Sequence, residues 1–293
     1  MKTFERYNPI AVGIYFLAVA ILPMLCMSPV ILLPSLVGAV SLFMIAVKRN
    51  RLKTNLIMLV AVLIMIVINP IYSHKGDTVI FFINDTPFTL EAVLYGVAAA
   101  LTVAVTVYWF RSFSEIMTED KLMYIFGRIS PKLALTLSMA LRYVSLFTAR
   151  IRKTVQAQKA NGLYKTDSIT DSMKSGARVF SVNVTWALEN GVVTASSMRA
   201  RGYGCGRRTS FTVFRFRGRD AAMLAVTLIL LSLSVVGVAM GGADVEFYPR
   251  FTVSFGLDAA TLLTFIPYTA LCFVPIFIEM EERLKWSFLL SRI

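Results

Sequence analysis

The stretch NLIMLVAVLIMIVINPIY, residues 55–72, runs for eighteen positions without an Asp, Glu, Lys or Arg. As a helix it reaches about 27 Å at 1.5 Å per residue, close to the roughly 30 Å hydrocarbon thickness of a bilayer. Outward from it, apolar runs of spanning length lie at about 9–27, 29–47, 91–110, 220–241 and 258–279. The composition agrees. Of the 293 residues 57% are apolar and 16% charged, whereas soluble domains average about 45–50% apolar and about 25% charged. The pattern predicts an all-α polytopic membrane protein with about six transmembrane helices, the first two joined as a tight hairpin through Met27-Ser28-Pro29.

The net charge of +13 would suggest nucleic acid in a soluble chain. In a polytopic one the cytoplasmic excess of Lys and Arg is the simpler cause, and six spans test it. With the N-terminus inside, 28 of the 30 basic residues fall on the cytoplasmic side, 19 of them between Arg111 and Arg219, and only Lys75 and Arg250 lie outside. Both termini are therefore expected in the cytoplasm, and a nucleic-acid partner is excluded. A crossing at 133–149 would move part of the basic segment outside, so that run is read as a helix against other protein or along the membrane face. Three parts follow: four spans in 1–111, a cytoplasmic helical region in 112–218, and two spans with a short tail in 219–293. The apolar run from Pro9 exceeds the 7–15 residues of a signal peptide, and Leu25-Cys26 lacks a small residue for cleavage, so the first span is expected to be retained. The outer loops 73–90 and 242–257, with His74-Lys75-Gly76-Asp77, Asn84-Asp85 and Phe247-Tyr248-Pro249, read as short interfacial connectors.

Little in the chain points to covalent chemistry. Cys26, Cys205 and Cys272 have no paired spacing, and His74 is the single histidine, so neither a zinc site nor an imidazole-based triad is expected. No phosphate-binding G-x-x-x-x-G-K-[ST] sequence occurs, which leaves no ATPase of the chain's own, and no catalytic residue, cofactor or metal ligand is assigned. Glu91, Asp258 and Glu279 sit at span ends, not along a proton path.

The basic segment 111–219 holds two helical stripes. Pro131 after Ser130 starts one, with Leu133, Leu137, Ala140, Val144, Phe147, Ile151 and Val155 at helical spacing to about Ala160 and Gly162 as terminator. The second begins beyond Asp167, with Ile169, Met173, Ala177, Phe180, Val184, Leu188, Val192, Ala195 and Met198 recurring to Gly202. For Leu133, Leu137, Val144 and Phe147 core is the default reading. Met117, Met123, Met139, Met173 and Met198 are either core filler or an adaptable docking surface. Arg142 either pairs with a carboxylate such as Glu189 or reaches lipid headgroups. The helix ends Lys159-Ala160-Asn161-Gly162 and Arg199-Ala200-Arg201-Gly202-Tyr203 read in two ways. Arg201 is either a juxtamembrane positive charge, or a fork of donors offered at a helix tip to a partner's carboxylates or helix-end carbonyls.

The order of four spans, a long cytoplasmic helical segment ending in Ala-Arg-Gly, and closing spans resembles the transmembrane T component of energy-coupling factor (ECF) transporters, prokaryotic uptake systems for vitamins and transition metals. The likeness runs through most of the chain. It is sharpest at Asn8-Pro9, Leu141-Arg142-Tyr143 and Ala187-Leu188-Glu189, and above all at Ala200-Arg201-Gly202-Tyr203. The resemblance implies a scaffold in the plasma membrane that inserts two arginine-bearing helix tips into two ABC-type ATPase subunits. It also implies that the apolar surface of the same helices holds a membrane-embedded, substrate-binding S component. By position the tips are Ala160, Asn161, Gly162 and Ala200, Arg201, Gly202, and the S-component surface is Leu133, Leu137, Met139, Val144, Phe147, Met173, Phe180 and Met198. Arg142 and Glu189 are the candidate pair where the helices cross. Two departures stand out: Asn161 replaces the family's first arginine, leaving that tip to Asn161 or Lys159, and Ser145 replaces a common proline. The expectation is a non-enzymatic energy-coupling subunit. The alternative is an autonomous secondary transporter with a large cytoplasmic loop, which would need an internal repeat or broken midplane helices that the four-plus-two order does not display.

Overall fold

The computed structural model describes residues 4–46, 51–73, 76–83, 86–164, 168–206, 214, 216–248, 251–253 and 258–290. After a 3-10 turn at Phe4–Arg6, the helices among these are α1 (Pro9–Leu25), α2 (Pro29–Ala46), α3 (Arg51–Tyr72), α4 (Leu90–Ile116), α5 (Glu119–Ile129), α6 (Pro131–Ala160), α7 (Ile169–Ala200), α8 (Gly218–Ala239) and α9 (Ala259–Leu290). Two hairpins complete the order, β1 (Val79–Ile83) with β2 (Thr86–Thr89), and β3 (Val245–Glu246) with β4 (Thr252–Val253). The fold is all-α, as the apolar runs require. Five helices, α2, α3, α4, α8 and α9, are long and apolar enough to cross a membrane, and α1, at 17 residues, is a shorter apolar helix. The first apolar run predicts a span to about Met27, but the chain leaves the helix at Cys26, whose N–H closes on the Leu22 carbonyl at 2.9 Å.

The chain divides into two compact units, Met1–Leu122 with Phe214–Ile293, and Met123–Val213. In the first, α4 packs against α1, α2 and α3, while α9 packs against α2 and α8. Polar side chains tie its apolar core together. The Trp109 indole N–H donates to Ser35 Oγ at 3.0 Å, and the Tyr268 hydroxyl lies 3.0 Å from both Ser35 Oγ and the Val19 carbonyl oxygen. Trp109, Tyr15 and Tyr268 are fully buried, so one serine joins α4 and α9 to α2 where no water can compete. Small residues let the helices close further. A Cβ at Gly237 of α8 would lie 2.5 Å from Thr264 Oγ1 of α9, so any side chain there would force the pair apart.

The chain start is anchored to α8. The Asn8 side chain accepts from the Ile10 N–H and caps α1, with Pro9 in the first helical position. The Asn8 N–H donates to Asp220 Oδ1 at 2.9 Å, and Asp220 Oδ2 accepts from the Arg217 N–H at 2.8 Å. Burial pushes the nearby Tyr7 phenol above its ordinary range, against the opposing pull of Arg219.

Three segments depart from the sequence expectation. First, α4 continues past Arg111 to Ile116, where the buried Lys121 ammonium donates to the Ile116 carbonyl at 2.7 Å. A charge ends a lipid-exposed span but not a helix, and a lysine at a helix C-terminus satisfies an orphan carbonyl and the dipole together. Second, α9 runs to Leu290 instead of stopping near Glu279, carrying i,i+4 pairs of Glu279 with Arg283 and Glu281 with Lys285. Third, the two outer connectors contain antiparallel hairpins with register Phe82↔Pro87 and Val245↔Val253. His74, Lys75, Asn84, Asp85, Asp167, Pro249 and Arg250 lie outside the described residues.

Candidate functional site

The second unit is dominated by α6 and α7. Pro131 takes the first position of α6 and Ser130 its N-cap place, without a side-chain cap bond. The two helices end alike. Asn161 (φ −84°, ψ 4°) and Arg201 (φ −83°, ψ 9°) occupy the same C-cap position in nearly the same conformation. Gly162 and Gly202 follow at φ 67° and 81°. At the first end the Leu163 N–H donates to Gln158 O at 2.9 Å and the Gly162 N–H to Lys159 O at 3.1 Å. At the second, Tyr203 donates to Met198 O at 3.0 Å and Gly202 to Arg199 O at 2.9 Å. Each is a Schellman motif, closed by a left-handed residue. A Cβ at either glycine would meet nothing within 4 Å, so glycine is needed there for its backbone conformation and not for space.

All six tip residues, Ala160, Asn161, Gly162, Ala200, Arg201 and Gly202, are exposed. Among the described residues the Arg201 guanidinium makes no hydrogen bond or ion pair. Lys159, the other cation considered for the first tip, holds its ammonium 5.3 Å from the centre of the Tyr164 ring. The two tips thus share a backbone and differ in charge: one offers a free guanidinium, the other an amide with a lysine already engaged.

The helices meet antiparallel. Tyr143 Oη and Thr194 Oγ1 are 3.0 Å apart, Phe147 and Trp186 pack edge to face at 5.6 Å, and Arg178 donates to the Leu163 carbonyl at 3.3 Å. Rising numbers on α6 therefore face falling numbers on α7. The buried positions are Gln158 on α6 and Ser175, Val179 and Asn183 on α7, spaced four apart. Three of these four are polar. Asn183 Nδ2 donates to its own helix at the Val179 carbonyl, at 2.7 Å, while Asn183 Oδ1 and Gln158 Oε1 are buried without a hydrogen-bond partner among the described residues. Arg150 stacks on the same Trp186 ring at 5.4 Å.

The apolar stripes point elsewhere. Met173 and Phe180 on α7 are 72% and 71% exposed, with Leu188 and Val192 exposed beside them. On α6 the default expectation of core fails for Leu133 and Val144, which are 56% and 61% exposed, whereas Leu137, Met139 and Phe147, with Met198 of α7, are half-buried. The reason is that the seam is made by the face of α7 that carries Val179, Asn183, Trp186 and Thr194, which leaves the face of Met173, Phe180 and Leu188 exposed. Arg142 and Glu189 do not pair: both are exposed, and the ion pairs among the described residues are those of Glu279 and Glu281. Tyr143 and Thr194 take the crossing place that those charges were expected to hold.

Neither a protein-family model nor a curated protein matches this chain.

The sequence displays the apolar stripes of α7 openly and a polar stripe less so. Ser175, Asn183, Asn190 and Thr194 recur with the same helical period as Met173, Phe180 and Leu188, so a seam was readable from either set. Choosing the apolar set follows the rule that an amphipathic helix buries its apolar face, which α7 breaks by leaving Met173, Phe180 and Leu188 exposed. Asp220 is also less evident. Its signal is an acidic residue three positions after Arg217, at the start of an apolar run, where a capping box is expected.

Proposed function

We propose that this chain is the transmembrane scaffold of an ECF-type importer, coupling two ABC-type ATPase subunits to a membrane-embedded, substrate-binding S component for uptake of a vitamin or transition metal. The observation that carries the proposal is the outward-facing helix pair: α6 and α7 meet through a mixed polar and aromatic seam, leave Leu133, Val144, Met173, Phe180 and Leu188 exposed, and each end in an exposed glycine-closed tip. A helix pair of that kind needs apolar partners on its flanks and presents its tips to others. Because the helices are antiparallel and Leu163 lies beside Arg178, the tips stand at opposite ends of the stretch of α7 from Arg178 to Arg201, about 35 Å at 1.5 Å per residue. That separation suits two ATPase subunits side by side. Closure of the ATPases on ATP draws the tips together, tilts α6 and α7, and moves the S component resting on their apolar face. ATP hydrolysis belongs to the ATPases and none to this chain. In this reading the protein lies in the plasma membrane of a prokaryote with both termini in the cytoplasm, as its distribution of Lys and Arg suggests.

Arg201→Glu tests the reading, because it replaces an exposed guanidinium, which makes no hydrogen bond or ion pair among the described residues, with a carboxylate. Affinity purification of the tagged protein in mild detergent is expected to recover the ATPases with the parent chain and to lose them with the variant, while the variant remains monodisperse. Undiminished co-purification of the ATPases with Arg201→Glu would sink the coupling role of this tip. Isolation of the chain alone, with transport after reconstitution, would favour the autonomous carrier instead.

A further inference from the structure

A cavity of about 160 Å³ opens between α2 and α4 at the end of the first unit that carries the hairpins. Pro29 and Leu33 of α2 and Leu94 and Ala98 of α4 form its walls, and Phe247 and Phe251, which flank the β3–β4 turn, lie over it. Its lining is apolar throughout. A void of about 150 Å³ with such walls stays dry and takes an apolar guest, so water is not the occupant that fits. Leu33 on the rim is 52% exposed, which makes the mouth continuous with the outer surface of a span. There the surrounding medium is acyl chain, present at the concentration of a solvent.

The roof gives the second half of the argument. Tyr95 packs edge to face on Phe247 at 5.4 Å and lies 5.9 Å from Tyr248, Phe247 packs on Phe251 at 5.7 Å, and Tyr248 Oη is 3.2 Å from Ser73 Oγ. Tyrosines and phenylalanines gathered at the ends of spans mark the level where headgroups meet hydrocarbon. An apolar cavity directly beneath such a belt matches an amphiphile held upright, tail inside and polar end among the hydroxyls. We infer that this cavity is a lipid site that takes one acyl chain of a membrane phospholipid, and that the lipid seats Phe247 and Phe251 against α2 and α4. The gain is not hydrophobic, since tail and leucine are equally apolar; it is the dispersion contact that a lined cavity recovers when filled.

The experiment uses the full chain, extracted in mild detergent and examined by native mass spectrometry with extraction and identification of whatever stays bound. The parent chain is expected to retain a phospholipid through detergent exchange. Ala98→Phe, which fills the cavity from its wall, and Leu33→Trp, which fills it from the exposed rim, are each expected to cut retention roughly tenfold through the lost tail contacts. Should Ala98→Phe fail to fold, Leu33→Trp decides alone, because its site is open to the outside. Equal retention by parent and variants would mean an ordinary boundary lipid and would overturn the site. Retention of no lipid by the parent chain, or of a polypeptide in the lipid's place, would overturn it as well.

Discussion

Asn183 and Gln158 are the two side chains in the second unit whose placement is hardest to account for by stability. Each buries an amide oxygen without a partner among the described residues, and such an atom costs about 1–3 kcal/mol relative to a satisfied or apolar one. A seam meant only to be tight would carry leucine there. A seam meant to let one helix tilt over another gains from contacts that are not at their minimum, since the energy lost on moving is smaller. Asn183→Leu is therefore expected to raise the thermal midpoint of the purified protein, by an increment corresponding to about 1–2 kcal/mol. Under the proposed function it should also lower uptake by the assembled transporter while leaving the assembly intact. Calorimetry in detergent together with substrate uptake into vesicles checks both halves, and an unchanged or lowered midpoint would remove the seam from this account.

At the scale of the element, α7 carries three distinct surfaces on one cylinder. The stripe of Ser175, Val179 and Asn183 meets α6, the neighbouring stripe of Met173, Phe180, Leu188 and Val192 faces outward, and the C-terminal turn presents Arg201. Their separation around and along the helix makes them separable by mutation. Phe180→Glu places a charge in the middle of the outward face, 71% exposed and away from the seam, so helix and fold are expected to survive with changes within about 0.5 kcal/mol. Under the proposed function the same charge should abolish retention of a membrane-embedded partner while ATPase subunits stay bound, which co-purification reads directly. Loss of both partners together would show that surface and tip do not act independently.

At the scale of the whole molecule, the first unit is held by polar contacts inside an apolar bundle. Ser35 is the smallest side chain that could meet both Trp109 and Tyr268, and it does so with all three residues buried. Ser35→Ala strands the indole N–H and removes one of the two oxygens near the Tyr268 hydroxyl, and is expected to cost about 1–3 kcal/mol. Ser41→Ala, which removes only a hydroxyl bonded to the Gly38 carbonyl of its own helix at 2.9 Å, is the control and should change little. Thermal unfolding followed by tryptophan fluorescence compares the two, and equal effects would show that the Ser35 contacts carry no special weight.

The span pattern was legible in the sequence because crossing a bilayer demands a local property, some twenty residues without charge, that each segment must satisfy by itself. The same holds for the helix ends at Gly162 and Gly202, since a left-handed closing residue is a property of one position. The hairpins β1–β2 and β3–β4 were not legible, because strand pairs so short take their existence from the helices that bring their ends together. Nor were the anchoring of Asn8 by Asp220 across 212 residues, the meeting of Trp109 and Tyr268 at Ser35, or the choice between two equally periodic faces of α7. Local chemistry determined which segments are helices, where they stop and which of their faces are apolar. Which faces touch, and which are left open for a lipid or a partner, was decided by tertiary packing alone, because in an apolar surrounding burial no longer selects the apolar face and only fit and hydrogen bonding between distant residues can.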